Sequence, residues 1–505
     1  MTPVDLLRAP GIGPVLRWRH TRTVLQALCL AVAALLILDG LFGPQVAPRN
    51  LAGVLPWVHW RGFVVLALLV AGNLFCMACP FMLPRRIAKR FGPANRPWPA
   101  PLRSKWLAVG ILLLFFWAYE AYALWASPWL TAWVAGTYFA LAFVIDGFFR
   151  GASFCRFVCP IGQFNFVNGM VSPTEVRVRD PEVCGRCETH DCIRGRYASP
   201  PKADWSGRPL RPDASGRLAL AGAASGRAMG REGLLQGGCE LALYQPRKTG
   251  NLDCTFCMEC IHACPHDNVG IFTRSPLADL TTDPVRSGVG RLSRRPDLAA
   301  LALLLTFGAF VNAFGMVEPV FVLQDQVSAL LGLTSRPLLI LLFMVTGIVL
   351  LPLVLVAATA AASRALAPGT DTLVGRTTRY AWGLVPLGFG MWTAHYLYHL
   401  LIGGLTIVPV VQEYLGELGL PAGSPAWGLG PMVPESWLLP VELFFLQGGL
   451  LVSLVALYRI ARSEAPTKRT GVRAFLPWAI LATLLSGAGI WLLMQPMEMR
   501  GTFFV

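Results

Sequence analysis

The chain reads as a polytopic α-helical membrane protein of about nine spans, N-terminus inside and C-terminus outside, with a cysteine-bearing α+β domain inserted after the fourth span. Three observations predict this class: composition, the spacing of apolar runs, and the sign of the charge between them. Over 505 residues the hydrophobic share is 54% and the charged share 14%, a balance found in membrane proteins rather than in soluble domains. The net charge of +15 does not mark a nucleic-acid partner, because the basic residues fall in short loops between apolar runs.

Nine runs of about 20 residues are long enough to cross a hydrocarbon core of about 30 Å. They lie at 23–41, 62–80, 106–125, 130–149, 298–316, 337–358, 380–403, 437–458 and 474–494. The first follows Arg17, Arg19 and Arg22 and lacks a small-residue cleavage site, so it reads as a retained anchor. With the N-terminus inside, the inner segments 1–22, 84–105, 359–379 and 459–473 carry 19 Lys and Arg, and the corresponding outer segments carry 4. That bias fixes the orientation. It places residues 150–297 on the cytoplasmic side of what reads as a bacterial inner membrane.

The organisation follows from these spans. Residues 1–22 form a cytoplasmic N-terminal segment, 23–160 a four-span unit, 161–297 the cytoplasmic domain and 298–505 a five-span unit. Inside the domain, 193–238 is rich in Arg, Gly, Pro and Ala without a period, and it reads as an irregular insert. No Walker or Rossmann phosphate loop occurs.

The stretch that carries chemistry is Cys254-Thr-Phe-Cys257-Met-Glu-Cys260-Ile-His-Ala-Cys264-Pro265. C-x2-C-x2-C-x3-C-P is the bacterial ferredoxin run for a [4Fe–4S] cluster. A tight turn brings three thiolates to three irons, and the C-P cysteine crosses to a second cluster. The second set is upstream, at Cys184, Cys187 and Cys192, with Cys239 alone between. One cluster is therefore assigned to Cys184, Cys187, Cys192 and Cys264, the other to Cys239, Cys254, Cys257 and Cys260. Zinc would want closed sites built from pairs, and disulfides an oxidising compartment; neither accounts for a four-cysteine run ending in C-P. The inserted domain is thus expected to be a two-cluster, ferredoxin-like one.

Two further pairs sit at span ends. Cys76-Met-Ala-Cys79-Pro80 closes the second run, and Cys155-Arg-Phe-Val-Cys159-Pro160 follows the fourth. Both arrive at the inner surface, and each proline is expected to end a helix there. Cysteine also packs as a small apolar residue, which suffices for the lone Cys29. For the four paired thiols a third cluster, a copper site and a thiol–disulfide pair all remain open.

Cysteine–proline motifs at membrane helix ends, followed by a two-cluster ferredoxin segment, resemble the NosR/NapH-type membrane polyferredoxins, with CcoG a more distant relative. The resemblance covers about 60–300. It implies electron passage between a cytoplasmic donor or the quinol pool and an extracytoplasmic reductase system, or reduction of copper. The first pair departs from the family in having two intervening residues rather than three. The extracytoplasmic flavin domain of NosR is absent, and the five spans after residue 297 exceed the NapH pattern.

In the C-terminal half, His395 and His399 at i, i+4 share one helix face, in the outer half of the membrane by this orientation. Glu442 in the eighth span and Glu120 in the third come to similar depth, Glu318 caps the fifth, and Met494, Met497 and Met499 follow the ninth. Intramembrane ionisable groups usually face a bundle interior. A hydrogen-bonded structural pair, a copper site, a quinone site and a haem site all fit these residues, although two histidines on one face cannot sandwich one iron. His59, His190, His262 and His266 receive no role.

The expectation is an integral-membrane iron–sulfur electron-transfer protein whose acceptor lies in the membrane or the outer compartment. The alternative is a copper-handling or cuproenzyme/reductase assembly factor, cupric reduction included, with regulatory clusters and a copper protein as partner. The sequence does not decide between a carrier and a quinone- or copper-reducing oxidoreductase.

Overall fold

Apolar runs fold as helices because a helix satisfies its own backbone where water is absent. The computed structural model of the chain describes residues 3–91, 96–198 and 234–498. Among these, 8 helical segments are long and apolar enough to cross a membrane: Thr21–Phe42, Leu51–Ala71, Pro128–Phe148, Pro296–Phe314, Arg336–Leu366, Leu373–Glu417, Glu435–Glu464 and Lys468–Leu493. By helix length and hydropathy this is a multi-pass membrane protein. The third expected span, 106–125, is instead a shorter apolar helix, Trp106–Ala121. Its 16 residues extend about 24 Å. The chain leaves the helix at Tyr122 and turns left-handed at Ala123 (φ 44°), which ends it early.

The second span is displaced from its expected place at 62–80. Asn50 caps its start, accepting from Ala52 N at 2.8 Å, and the Asp39 carboxylate accepts from Leu51 N at 2.6 Å. The helix passes Pro56 through a π-turn, Leu55–Trp60. It stops at Gly72, whose φ of +73° suits glycine; a Cβ there would stand 2.8 Å from the Phe256 ring. Cys76 is consequently not on the span but on a separate short helix, Leu74–Ala78. Pro160 also departs from expectation. It opens a helix, Pro160–Asn168, capped by the Cys159 sulfur, because proline suits the first helical turn, where its missing N–H costs nothing.

Glu318 begins a helix of its own, Glu318–Leu331, rather than capping the fifth span. The segments Leu373–Glu417 and Arg336–Leu366 run well beyond the expected 380–403 and 337–358. The helix Val385–Gly403 packs against Leu438–Glu464, Pro296–Phe314 and Arg61–Ala71. Glycines let two of these backbones meet: a Cβ on Gly390 would lie 2.6 Å from Phe445 O, and one on Gly449 2.6 Å from Pro386 O. Trp382, Trp392 and Trp478 fill the core between the helices.

The inserted region is small and held by short strands. β1 (Thr174–Val178) pairs antiparallel with β4 (Val269–Thr273), with Val176 opposite Ile271. β2 (Arg196–Tyr197) pairs with β3 (Leu234–Gln236). Most of the expected insert 193–238 lies outside the described residues, as does Met499. The N-terminal segment joins the small sheet: Thr273 N donates to Val4 O at 3.0 Å, and Asp5 bridges to Phe272.

Candidate functional site

The backbone around the cysteines is strained in a consistent way. Among the described residues, the non-glycine positions with positive φ are Ala123 and six neighbours of the cysteines: His190, Ala242, Asp253, Phe256, Met258 and Asp267. A left-handed L-residue costs about 1–2 kcal/mol, and such outliers cluster where function over-determines them. Alternating handedness turns successive N–H groups inward and makes the concavities that iron–sulfur sites use.

Three quartets of thiols result, all of them free of disulfides. In site A, Cys184, Cys187, Cys192 and Cys264 line one cavity with His190, Tyr244, His266 and Asn268. Asn268 ties two of its sulfurs together: its amide N donates to Cys264 Sγ at 3.3 Å and its Nδ2 to Cys184 Sγ at 3.2 Å. The antiparallel pair β1–β4 produces this meeting, because Cys184 follows β1 and Cys264 precedes β4. All four thiols are half-buried.

In site B, Cys254, Cys257 and Cys260 are buried, and Cys239 lies within electrostatic reach of all three. Leu243 N donates to Cys239 Sγ at 3.4 Å. Site C is formed by Cys76, Cys79, Cys155 and Cys159, which line a second cavity with Phe75, Phe81, Met82, Ile161, Phe166 and Thr255. Asn165 Nδ2 donates to Cys76 Sγ at 3.1 Å, and Gly162 N to Cys159 Sγ at 3.3 Å. The fold brings four thiols to one cavity at A and four to another at C, and it places Cys239 within reach of Cys254, Cys257 and Cys260.

The sites adjoin one another in the order A, B, C. Cys192 of A lies near Cys239 of B, and Cys76 of C lies near Cys254 of B. Thr255, between two site B cysteines, is part of the wall of site C. Burial pushes the thiols of Cys192 and Cys76 up to about 12, and those of Cys239 and Cys159 to about 11. Such thiols stay protonated at neutral pH unless a bound cation displaces the proton.

Buried charges fix the quartets to the helix ends. Lys105 Nζ donates to Asp253 Oδ1 at 2.7 Å, Arg156 O at 2.8 Å and Gln163 Oε1 at 2.9 Å. Burial opposes ionisation of Asp253, but Lys105 and Arg156 outweigh it and hold the carboxyl below its ordinary range. Arg22 donates to Glu259 at 2.6 Å and Glu240 at 3.2 Å. Arg85 pairs with Glu240 and, at 3.7 Å, with Asp146. Glu240 and Glu259 each neighbour a site B cysteine in sequence, so three chain segments are pinned at one place. Asn268, Asn165, Lys105 and Thr255 carry no motif, and spacing alone does not reveal them.

His395 and His399 are both buried, with ring centroids 4.8 Å apart and perpendicular. Glu442 is buried on the helix packed against theirs, near Tyr398. An aromatic series leads toward them from the helix that Cys159 caps: Phe164 to Trp392 at 5.6 Å, Trp392 to Tyr396 at 5.0 Å, and Tyr396 to His395 at 5.7 Å. Met494 is exposed, and Met497 pairs through its backbone with Val317. Among the described residues no three His, Cys, Asp or Glu side chains converge as one metal ion would require. No family model, curated protein or solved structure matches the chain, and the three sites are read from their own geometry.

Proposed function

We propose that this chain is an integral-membrane iron–sulfur electron-transfer protein, with [4Fe–4S] clusters at sites A and B. The observation that carries the reading is the graded burial of adjoining thiol quartets: all four thiols are half-buried at A, while three of four are buried at B (Cys254, Cys257, Cys260) and at C (Cys76, Cys155, Cys159). The donor set fits the group. Each quartet offers four thiols and a backbone N–H donor to sulfur, features that hold and tune such clusters. A single tetrahedral zinc would draw its sulfurs to within about 4 Å of one another, whereas the site A thiols line a cavity.

When bound, the clusters supply one-electron chemistry, and the chain positions and tunes them. The half-exposed edge of site A receives the donor. Asn268, Leu243 N and Asn165 donate to sulfur and favour the reduced state. Phe75, Phe81 and Phe166 keep water from the inner end.

The positive-inside rule puts the donor in the cytoplasm. The acceptor, a quinone or an extracytoplasmic reductase, is reached through the membrane half, where the Trp392–Tyr396–His395 series shortens the gap. This is also what the resemblance to NosR/NapH-type polyferredoxins implies.

The test uses protein in liposomes. A reduced low-potential flavodoxin is added outside inside-out-oriented vesicles, and reduction of an embedded quinone pool is followed optically. Transfer that depends on Cys187 and Cys257 supports the reading; transfer unaffected by their replacement with serine contradicts it.

A further inference from the structure

We propose that Cys76, Cys79, Cys155 and Cys159 hold a third [4Fe–4S] cluster, making site C the membrane-end terminus of a three-site series. The proposal rests on the reading of A and B as cluster sites and deepens it by assigning the cofactor of C.

The geometry separates the alternatives. Thiol–disulfide exchange with a partner needs a thiolate that the partner can reach, but three of the four thiols, Cys76, Cys155 and Cys159, are buried in a cavity walled by Phe75, Phe81, Met82, Ile161 and Phe166, and Cys79 is half-buried. Copper(I) or zinc would gather the sulfurs tightly about one point. Among the described residues no such convergence occurs; the four thiols instead surround a space. An inorganic core between four thiols is the occupant that both the space and the ligand count fit.

Polar groups are placed as a cluster would use them. Asn165 Nδ2 and Gly162 N donate to two of the sulfurs, at 3.1 and 3.3 Å. A Cβ on Gly162 would stand 2.9 Å from Cys155 O, so the close approach of that amide requires glycine. Thr255 lines the cavity, and its buried hydroxyl has no protein partner among the described residues. It is left to donate to the occupant. The anionic charge of a four-thiolate cluster is met by cations: Arg85 is buried beside Cys155, and Lys105 Nζ lies 5.5 Å from the Phe166 ring centre.

Adjacency gives the site its use. Asn73 Nδ2, three residues before Cys76, donates to Cys254 O at 2.6 Å, so the first membrane-end pair is bonded directly to the site B loop. On the other side, Cys159 caps the helix whose Phe164 meets Trp392. Site C thus stands between site B and the membrane interior.

The experiment is iron and labile sulfide per chain in anaerobically purified full-length protein, for wild type and for a Cys76→Ser/Cys159→Ser double variant, with Mössbauer spectra of both. Four irons per cubane give about twelve for wild type and about eight for the variant. About eight in both overturns the third cluster and leaves sites A and B standing. About twelve in both also overturns it. About four in wild type, lost in the variant, upholds site C and sinks the reading of A and B. A redox titration of wild type followed by electron paramagnetic resonance needs no variant: three one-electron steps support the proposal, and two overturn it.

Discussion

The amide of Cys239 donates to the carbonyl of Cys192 at 2.8 Å. That single bond joins a cysteine of site B to a cysteine of site A through two peptide groups. It also explains why Cys239 stands alone in the sequence: it is held by the other site's loop rather than by a local turn.

Asn268 donates to both Cys184 and Cys264, and it also bonds Asp180 at both ends, with Asp180 N donating to Oδ1 at 3.0 Å and Nδ2 donating to Asp180 O at 2.7 Å. Hydrogen bonds to sulfur raise the potential of a cluster. Asn268→Ala should lower the midpoint potential of one cluster and leave the others in place, as read by a titration monitored by electron paramagnetic resonance. A set of unchanged potentials would remove Asn268 from the tuning of site A. Loss of its bonds to Asp180 should also cost about 1–3 kcal/mol in local stability.

Lys105 and Asp253 form a buried pair, 3% and 2% exposed. Breaking such a pair by removing one partner costs about 3–5 kcal/mol. Lys105→Met should therefore lower the unfolding temperature in detergent sharply, and adding Asp253→Asn should recover part of the loss. The sign of the pH dependence follows. In wild type the Asp253 pKa is depressed, so its stabilisation is full above the ordinary Asp range and is lost only as pH falls through the folded pKa. Without Lys105 only Arg156 and Arg295 oppose the effect of burial on Asp253, so its pKa rises relative to wild type, and the deficit should shrink as pH falls through that raised pKa. A deficit that is constant with pH would contradict the assignment.

Oxygen should attack the sites in order of exposure. The four site A thiols are half-buried, whereas Cys254, Cys257 and Cys260 of site B are buried. Air exposure of the purified protein should give a fast loss of one cluster and a slower loss of the rest, followed by visible absorbance and released iron. Replacing Cys187 with serine should abolish the fast phase. A single phase in wild type would show that burial does not grade the sites.

The ladder from Phe164 through Trp392 and Tyr396 to His395 is expected to support passage through the membrane half. Trp392→Leu should slow reoxidation of the reduced protein by a membrane-embedded acceptor by about tenfold or more while leaving reduction by an external donor unchanged, as measured by stopped-flow absorbance. Replacing an aromatic core side chain also costs about 3–5 kcal/mol, so the comparison holds only between folded, fully loaded preparations. Equal reoxidation rates would exclude this route.

Much of the architecture is legible from residues alone, because length and hydropathy dictate spans and the C-x2-C-x2-C-x3-C-P run marks the cysteine-bearing domain. The bounds of the second span are not legible in this way. Its start depends on Asn50 Nδ2 donating to Asp39 O and on the Asp39 carboxylate accepting from Leu51 N, and its end on Gly72 turning against Phe256, contacts that no apolar window contains. The same holds within the sites. Asn268 meets Cys184 across 84 residues, Asn165 meets Cys76 across 89, and Lys105 meets Asp253 across 148. Arg22 read as an orientation charge, and in the fold it is also a buried partner of Glu240 and Glu259. Local pattern cannot separate those two roles.

The most direct test of the central claim, that sites A and B each hold a cluster, is the iron lost when one ligand of each is replaced. Anaerobically purified wild type and a Cys187→Ser/Cys257→Ser double variant would be compared for iron and labile sulfide per chain. Four irons per cubane predict a loss of about eight irons with matching sulfide. An iron content unchanged by both replacements would contradict the account.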